Sequence, residues 1–270
     1  MNMQIASLNS GSNGNVYYFG YGNDAILVDA GLSCREAEKR MKLLNLDIAR
    51  IKAVFITHEH SDHIFGLKGL LKKYDFPVYM TRKTFEAAEF KFPIKNLHHF
   101  RSHDSIETGK FTLTAFPVNH DAADPHGFFI SAGGKSAGIF NDIGFACEQV
   151  KKYFGKCHAA FLECNYDENL LNQGNYPAYL KERIKGPKGH LSNNEALEVY
   201  RNCRSTGLNY LFLSHLSSEN NSPERVLALF NNEDPAVRFM IAGRNSAGPL
   251  IDLNEKNGES VTGQLELFSI

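Results

Sequence analysis

Short apolar runs alternate with amphipathic segments along most of this chain. QIASL (4–8), NVYYFG (15–20) and DAILVDA (24–30) read as consecutive strands joined by turns, the first turn being SGSNGN (10–15), whose glycines suit backbone that other residues avoid. Ser33 to Asn45 reads as a helix and KAVFITH (52–58) as a strand. Asp62 to Tyr74 reads as one helix, with Ile64, Leu67, Leu70 and Leu71 on a single face. PVYMT (77–81) is the next strand, with a helix running to Phe90. FTLTAFPVN (111–119), GFFISAG (127–133) and SAGIFND (136–142) are strands, followed by a helix from Ala146 to Phe154 and the strand HAAFLE (158–163). Ser192 and Glu195 stand at capping-box spacing and open a helix to Cys203. NYLFLSH (209–215) is a strand, Ser222-Pro223 starts a further helix, and VRFMIA (237–242) is the last clear strand. Residues 243–263 are polar and rich in Gly and Asn, which predicts a tail or linker. The expectation is an α/β chain with one domain over 1–242 and a polar tail over 243–270.

Composition changes this picture little. The chain has 270 residues, 43% of them hydrophobic, and a formal net charge of −1, so nucleic-acid binding would need a local basic patch. No run approaches the roughly 18 apolar residues of a membrane span, and MNMQIASLNSGSNG lacks the pattern of a signal peptide. Five scattered cysteines form no C-x-x-C pair, which reads as reduced thiols in a cytoplasm.

The chemistry concentrates at strand ends. His58 follows AVFIT, His120 follows TAFPVN, Asp142 follows AGIFN, His215 follows YLFLS and Glu163 follows HAAFL. Apolar strands that each end in a ligand-type side chain turn one rim of a sheet into a site. THEHSDH (57–63) is the densest part. In extended backbone His58 and His60 face the same side, while Asp62 and His63 sit where a helix begins and can face them. Two histidines toward one ion and an Asp-His pair toward a second make H-x-H-x-D-H half of a dinuclear centre, with a donor set that suits Zn²⁺, Mn²⁺ or Fe²⁺. Glu59 alternates to the other side and reads as structural, while His98 and His99, which precede a strand, His103, in a turn, and His158, at a strand start, read as structural or surface residues. His126, in the loop after His120, keeps a substrate-side alternative.

H58-E-H60-S-D62-H63 resembles the signature of the metallo-β-lactamase fold, with His120, Asp142 and His215 in the expected order for the remaining ligands. The resemblance implies an αβ/βα four-layer sandwich with the site along one edge of two facing sheets. It implies His58, His60 and His120 on one metal, Asp62, His63 and His215 on the other, and Asp142 between them. ILVDAG (26–31), NHDAADP (119–125), NDIG (141–144), ECNYD (163–167), GHLSN (189–193) and LSHLS (213–217), with SGSNGN, are similar to the YycJ/WalJ group. That likeness implies an exonuclease acting on duplex DNA ends, 5′→3′, in repair or replication. Other members of the fold hydrolyse thioesters, lactams or small phosphodiesters, and a non-catalytic DNA-repair adaptor is a further alternative. Asn119 and Asn141 stand where Ser and Thr are common in relatives, which places them as tuners of the adjacent ligands.

In related nucleases a carboxylate and a later histidine assist the metals. Here that implies catalytic roles for Glu163 and His190 beside Asp62. Lys181, Arg183, Lys185 and Lys188 approach His190 and read either as a phosphate-facing patch or as a solvated face. Lastly, QLELF (264–268) resembles the short motif by which bacterial DNA enzymes dock on the sliding clamp, with Gln264, Leu265, Leu267 and Phe268 as the contacts. The alternation of Leu265 and Leu267 equally suits a strand packed on the chain's own domain.

Overall fold

A computed structural model describes residues 1–254. The first sheet takes β1 (Met3–Asn9), β2 (Val16–Tyr21), β3 (Asp24–Val28), β4 (Ile51–Phe55), β5 (Val78–Met80) and β6 (Leu97–His99). The second takes β7 (Ser105–Thr108), β8 (Phe111–Pro117), β9 (His126–Ala132), β10 (Lys135–Phe140), β11 (Ala159–Glu163), β12 (Tyr210–Ser214) and β13 (Arg238–Ile241). A last strand, β14 (Ile251–Asp252), returns to the first sheet beside β1, pairing Ile251 with Ile5. The strand orders are β14-β1-β2-β3-β4-β5-β6 and β13-β12-β11-β10-β9-β8-β7. Each sheet changes from antiparallel to parallel partway, at β3/β4 and at β10/β11.

The two sheets face each other across an apolar core to which Ile5, Phe19 and Phe55 contribute from one side and Leu113, Phe128, Phe161 and Phe212 from the other. Phe161 stacks on Phe212 at 4.5 Å and tilts against Tyr17 at 4.9 Å. The outer face of the first sheet is covered by α1 (Cys34–Leu43) and by α2 (Ser61–Ile64), α3 (Leu67–Lys73) and α4 (Arg82–Ala87), through Ala37, Met41, Leu67 and Leu70. The second is covered by α5 (Glu148–Phe154) and, past the short α6 (Glu168–Gln173) and α7 (Ala178–Lys185), by α8 (Asn193–Cys203) and α9 (Pro223–Phe230). Helices outside, sheets inside: this is the expected αβ/βα sandwich.

Four differences from the sequence reading have physical reasons. The single helix expected from Asp62 to Tyr74 is two, α2 and α3. Gly66 N–H donates to Ala30 O at 2.7 Å rather than back to Asp62 O, and Asp62 O instead accepts Asn15 N–H at 2.7 Å. The break thus stitches the loop after β3 into the helix, and a Cβ at Gly66 would stand 1.6 Å from Leu32 O. The polar stretch expected to leave the domain at 243 stays on it as far as β14, because Ile251 and Leu253 bury in the inter-sheet core. β6, β7, α6 and α7 carry too little apolar periodicity to be read, being short and largely exposed. His98 and His99 therefore lie within an edge strand, and His126 opens β9 instead of lying in a loop. The proposed contacts Gln264, Leu265, Leu267 and Phe268 lie outside the described residues.

Candidate metal centre

At one rim of the sandwich the parallel strands β3, β4, β10, β11 and β12 run out into loops that carry acids and histidines. The chain turns there by unusual backbone. Asp29, Asp142 and His215 have φ of 62°, 54° and 56°, the left-handed region that non-glycine residues seldom take. Asp29 and His215 follow β3 and β12 directly and Asp142 comes one residue further on after β10, so the left-handed step falls where each strand ends and redirects the side chain. Asn141 anchors the Asp142 turn: its amide donates to the Tyr17 hydroxyl and its oxygen accepts from Ser214 Oγ. Asn119 contributes through its backbone, whose carbonyl accepts Gly144 N–H at 2.7 Å.

The donor atoms of His58, His60 and His120 lie within 4.8 Å of one another, and so do those of Asp62, His63 and His215. Asp142 joins the two groups, once with His58 and His63 and once with Glu163, His190 and His215. His63 Nε2 stands 3.1 Å from Asp142 Oδ2 and 3.4 Å from Asp62 Oδ2, and His215 Nε2 stands 3.6 Å from each of Asp62 and Asp142.

Whether these residues suit a cation can be read from their atoms. His58 Nε2, His215 Nε2 and Asp142 Oδ2 are buried and have no hydrogen-bond partner among the described residues. Orphaned buried groups are rare and costly. Here three converge on one cluster, and imidazole plus carboxylate is a donor set for a divalent cation. The charges within the cluster act on one another. Burial opposes the charged form of His215, but Asp142, Asp62 and Glu163 outweigh it and push its pKa up to about 10. His63 is likewise raised, against burial, by Asp29, Asp62 and Asp142. Asp142 is held well below the usual carboxylate range, because His215 and His63 overcome its burial. Burial, with His63 beside it, keeps His58 neutral, as a ligand nitrogen must be.

Partners behind the cluster fix which ring nitrogen faces inward. His63 Nδ1–H donates to Asp29 Oδ2 at 2.8 Å, and Thr57 Oγ touches Asp29, His58 Nδ1 (3.0 Å) and His63 Nδ1 (3.2 Å). Asn15 Nδ2 reaches Asp62 Oδ2 at 3.1 Å, and Asn165 Nδ2 donates to His215 O at 2.9 Å. His120 Nδ1–H donates to Gly189 O at 3.1 Å. Gly189 can do this only as glycine, since a Cβ would stand 2.1 Å from Ile184 O. Asp29, Thr57 and Asn15 escaped the sequence reading as site residues. The one available signal was that Asp29 and Asn15 end apolar or turn segments facing the rim, which spacing alone does not reveal.

Glu163 and His190 meet, with Glu163 Oε1 2.7 Å from His190 Nδ1. Glu163 also accepts from Ile143 N–H at 2.8 Å and stands 3.1 Å from His215 Nδ1. Burial opposes charge on His190, but Glu163 and Asp142 raise its pKa above the usual histidine value. No hydrogen bond among the described residues occupies His190 Nε2. The basic residues disperse. Lys181 Nζ donates to Asn172 O at 2.7 Å and Lys185 bonds the Asn172 side chain, whereas Arg183 pairs with Asp121 at 2.6 Å, itself 3.3 Å from His120 Nε2. Lys188 is exposed. Of the remaining candidates, Glu59 Oε1 accepts Ala123 N–H at 2.7 Å, bracing the loop after His120. His126 has both ring nitrogens engaged, by Ser102 Oγ at 2.8 Å and Asp124 O at 2.9 Å, and so faces no substrate.

Fold and site together define a metallo-hydrolase. The solved structure of the metallo-β-lactamase fold protein YhfI from Bacillus subtilis superposes with a TM-score of 0.70 at 17% identity, covering 92% of this chain and 99% of that one. The family model of the β-lactamase superfamily domain matches residues 24–215. Exodeoxyribonuclease YycJ of Bacillus anthracis is 34% identical over 227 residues, 83% of this chain and 86% of that protein. Exodeoxyribonuclease WalJ of Streptococcus pneumoniae D39 is 32% identical over 222 residues, 80% and 82% of the two chains. The chain belongs to the β-lactamase superfamily and, within it, to the family of YycJ and WalJ. No helix among the described residues is long and apolar enough to cross a membrane.

Proposed function

We propose that this chain is a metal-dependent exonuclease that removes nucleotides from the ends of duplex DNA, working from the 5′ end in repair or replication. The observation that carries the reading is the Glu163–His190 pair, 2.7 Å apart at the edge of the cluster, with His190 Nε2 left open. Breaking a phosphodiester releases a sugar alkoxide, a strong base that needs a proton. Glu163 holds Nδ1 and favours the charged ring, so Nε2–H of His190 is the donor. His58, His60 and His120 would hold one divalent ion, Asp62, His63 and His215 a second, and Asp142 would serve both; Zn²⁺ or Mn²⁺ suits the donors, with Fe²⁺ a third candidate. Such ions, when bound, supply charge neutralisation at phosphate oxygens and an activated water near neutral pH. Asn15 and the His63 contact fix Asp62, so its carboxylate is aimed before substrate arrives. The names of YycJ and WalJ support DNA as substrate. All five cysteines are unpaired, which suits action in the cytoplasm.

The test is incubation of metal-loaded protein with duplexes labelled at the 5′ or 3′ end. Loss of mononucleotides from the 5′ end is expected. Turnover of a thioester or lactam with no attack on any nucleic acid would defeat the reading. We also propose that QLELF docks on the sliding clamp through Gln264, Leu265, Leu267 and Phe268. A peptide of residues 258–270 should bind the clamp in calorimetry, and Leu267→Ala with Phe268→Ala should abolish it; no binding by peptide or protein would refute the partner.

A further inference from the structure

Beside the buried cluster, two large aromatic side chains stand in solvent. Phe65 is 70% exposed and Phe145 44% exposed. Neither belongs to any of the three apolar clusters. Neither has a ring neighbour among the aromatic pairs of the described residues. The fold itself therefore gains little from keeping them, and their position is informative.

Both are tied to the rim by the chain around them. Phe65 follows α2 three positions after Asp62, so it lies on the same face of that helical turn. Phe145 lies three positions after Asp142, in a loop whose Gly144 N–H bonds to Asn119 O, next to His120. One aromatic thus comes from the half of the sandwich built on the first sheet and the other from the half built on the second. The loop of Phe145 also lies against the loop that carries Lys188. Gly144 packs on the backbone that leads to His190: a Cβ there would meet Pro187 O at 2.4 Å and Lys188 N at 2.7 Å. Lys188 is exposed and lies two residues before His190.

Exposed apolar rings, with a lysine in the loop that packs on that of Phe145, at the rim of a site proposed for phosphodiesters, match the two halves of a nucleotide. The base has a π-face to stack and the phosphate has a charge to pair. A flush base pair offers its outer face only; an unpaired nucleotide exposes both faces of its base to a ring. We propose that Phe145, with Lys188 in the adjoining loop and Phe65 from the opposite half, stacks the base of an unpaired nucleotide at the strand end, so that frayed or overhanging ends are taken in preference to flush duplex. This rests on the nuclease reading and extends it to the form of the substrate.

The experiment uses the metal-loaded full chain and Phe65→Ala, Phe145→Ala and the double variant. Because both rings are exposed, the variants keep the fold. The probes are duplexes with a short overhang at either end carrying terminal 2-aminopurine and phosphorothioate linkages, read by fluorescence, and the same duplexes with natural linkages, read by hydrolysis. Wild-type protein should quench the terminal fluorophore, and the double variant should lose that quenching. Its KM for overhangs should rise about 5- to 150-fold, the span of base–aromatic stacking. Turnover of bis(p-nitrophenyl) phosphate, which needs no base stacking, should stay within twofold. Binding without quenching, or an unchanged KM in the double variant, overturns the stacking while the nuclease reading stands. Equal losses on the small ester overturn it too, because the rings would then be supporting the cluster. A dimeric wild type, a monomeric double variant and equal oligonucleotide affinity would give the surface to a second copy. If the wild type neither binds nor cuts DNA, the nuclease reading fails and the stacking falls with it.

Discussion

The two halves of the rim are built in opposite ways. On the first sheet, one loop of seven residues, 57 to 63, supplies four candidate ligands and needs only β4 and a helical turn to aim them. On the second, His120, Asp142, Glu163, His190 and His215 come from separate connections and meet only because β10, β11 and β12 lie side by side and parallel, with Leu162 opposite Phe140 and Leu213 in register. The first half is a local motif; the second is a product of topology. The second half also carries two of the three left-handed turns at the rim, Asp142 and His215 against Asp29 in the first, and the pair proposed for proton transfer, Glu163 and His190. Chemistry that depends on spacing of a few ångströms between distant segments should be the more fragile of the two.

The sharpest break of this comparison is at Asp142, which groups with His58 and His63 on one side and with Glu163, His190 and His215 on the other. Asp142→Ala should remove nearly all activity and also lower the metal content, checked by elemental analysis from a proposed two ions per chain. Retention of both ions in an inactive variant would move Asp142 from holding metal to some other task.

Second in size is His190→Ala, expected to lower turnover by about 10²–10⁴-fold, the scale of general acid catalysis, with metal content intact. The pH profile tests Glu163. A histidine that must be protonated loses activity as pH rises through its pKa, and Glu163 raises that pKa. Glu163→Gln removes the negative charge, so His190 should lose its proton sooner and the alkaline limb of kcat should move to lower pH. A limb that stays in place would detach the pair from the proton transfer.

A smaller effect is expected beneath the site. The Tyr17 hydroxyl bonds Ser10 Oγ at 2.8 Å and Asn15 Oδ1 at 3.2 Å and accepts from Asn141. Ser10 Oγ in turn accepts His215 N–H at 2.8 Å, and Asn15 reaches Asp62. One buried phenol therefore ties both halves of the rim. Tyr17→Phe should cost about 1–3 kcal/mol of stability, the penalty for stranding buried polar partners. Metal affinity should fall about 10- to 100-fold, as when groups behind a metal ligand are lost. Unchanged affinity in a destabilised variant would make the network a support of the fold alone.

The same contrast explains what the sequence made legible. H-x-H-x-D-H is readable because its geometry is local: period-two backbone followed by a helical turn aims all four side chains. The apolar strands were readable as well, since a strand buried on both faces is a continuous apolar run. Tyr17 looked like one more apolar position in NVYYFG, and only the structure turns its hydroxyl toward Asn141, 124 residues away. Gly66 looked compatible with one long helix until Ala30 and Asn15 took the hydrogen bonds that would have continued it. β14 hid in a polar stretch because two buried residues, Ile251 and Leu253, are too few to make a pattern.

The smallest expected effect separates the lysines that the sequence grouped together. Lys181 and Lys185 are turned to Asn172 on the far end of α6, while Lys188 lies in the loop that carries His190. Phosphate contacts by exposed lysines are weak singly and screened by salt. Lys188→Ala should raise KM for DNA a few-fold at low salt, less as salt increases, with kcat unchanged. The Lys181→Ala, Lys185→Ala pair should change neither constant, because those charges are engaged elsewhere. Arg183 tests the boundary between the two sets: it holds Asp121, which stands 3.3 Å from His120, so Arg183→Ala should disturb kcat as well as KM. Equal KM effects from all four basic residues would mean that DNA meets a uniform basic face, and that the second half of the rim guides its substrate by charge alone rather than by the particular loop that brings in His190.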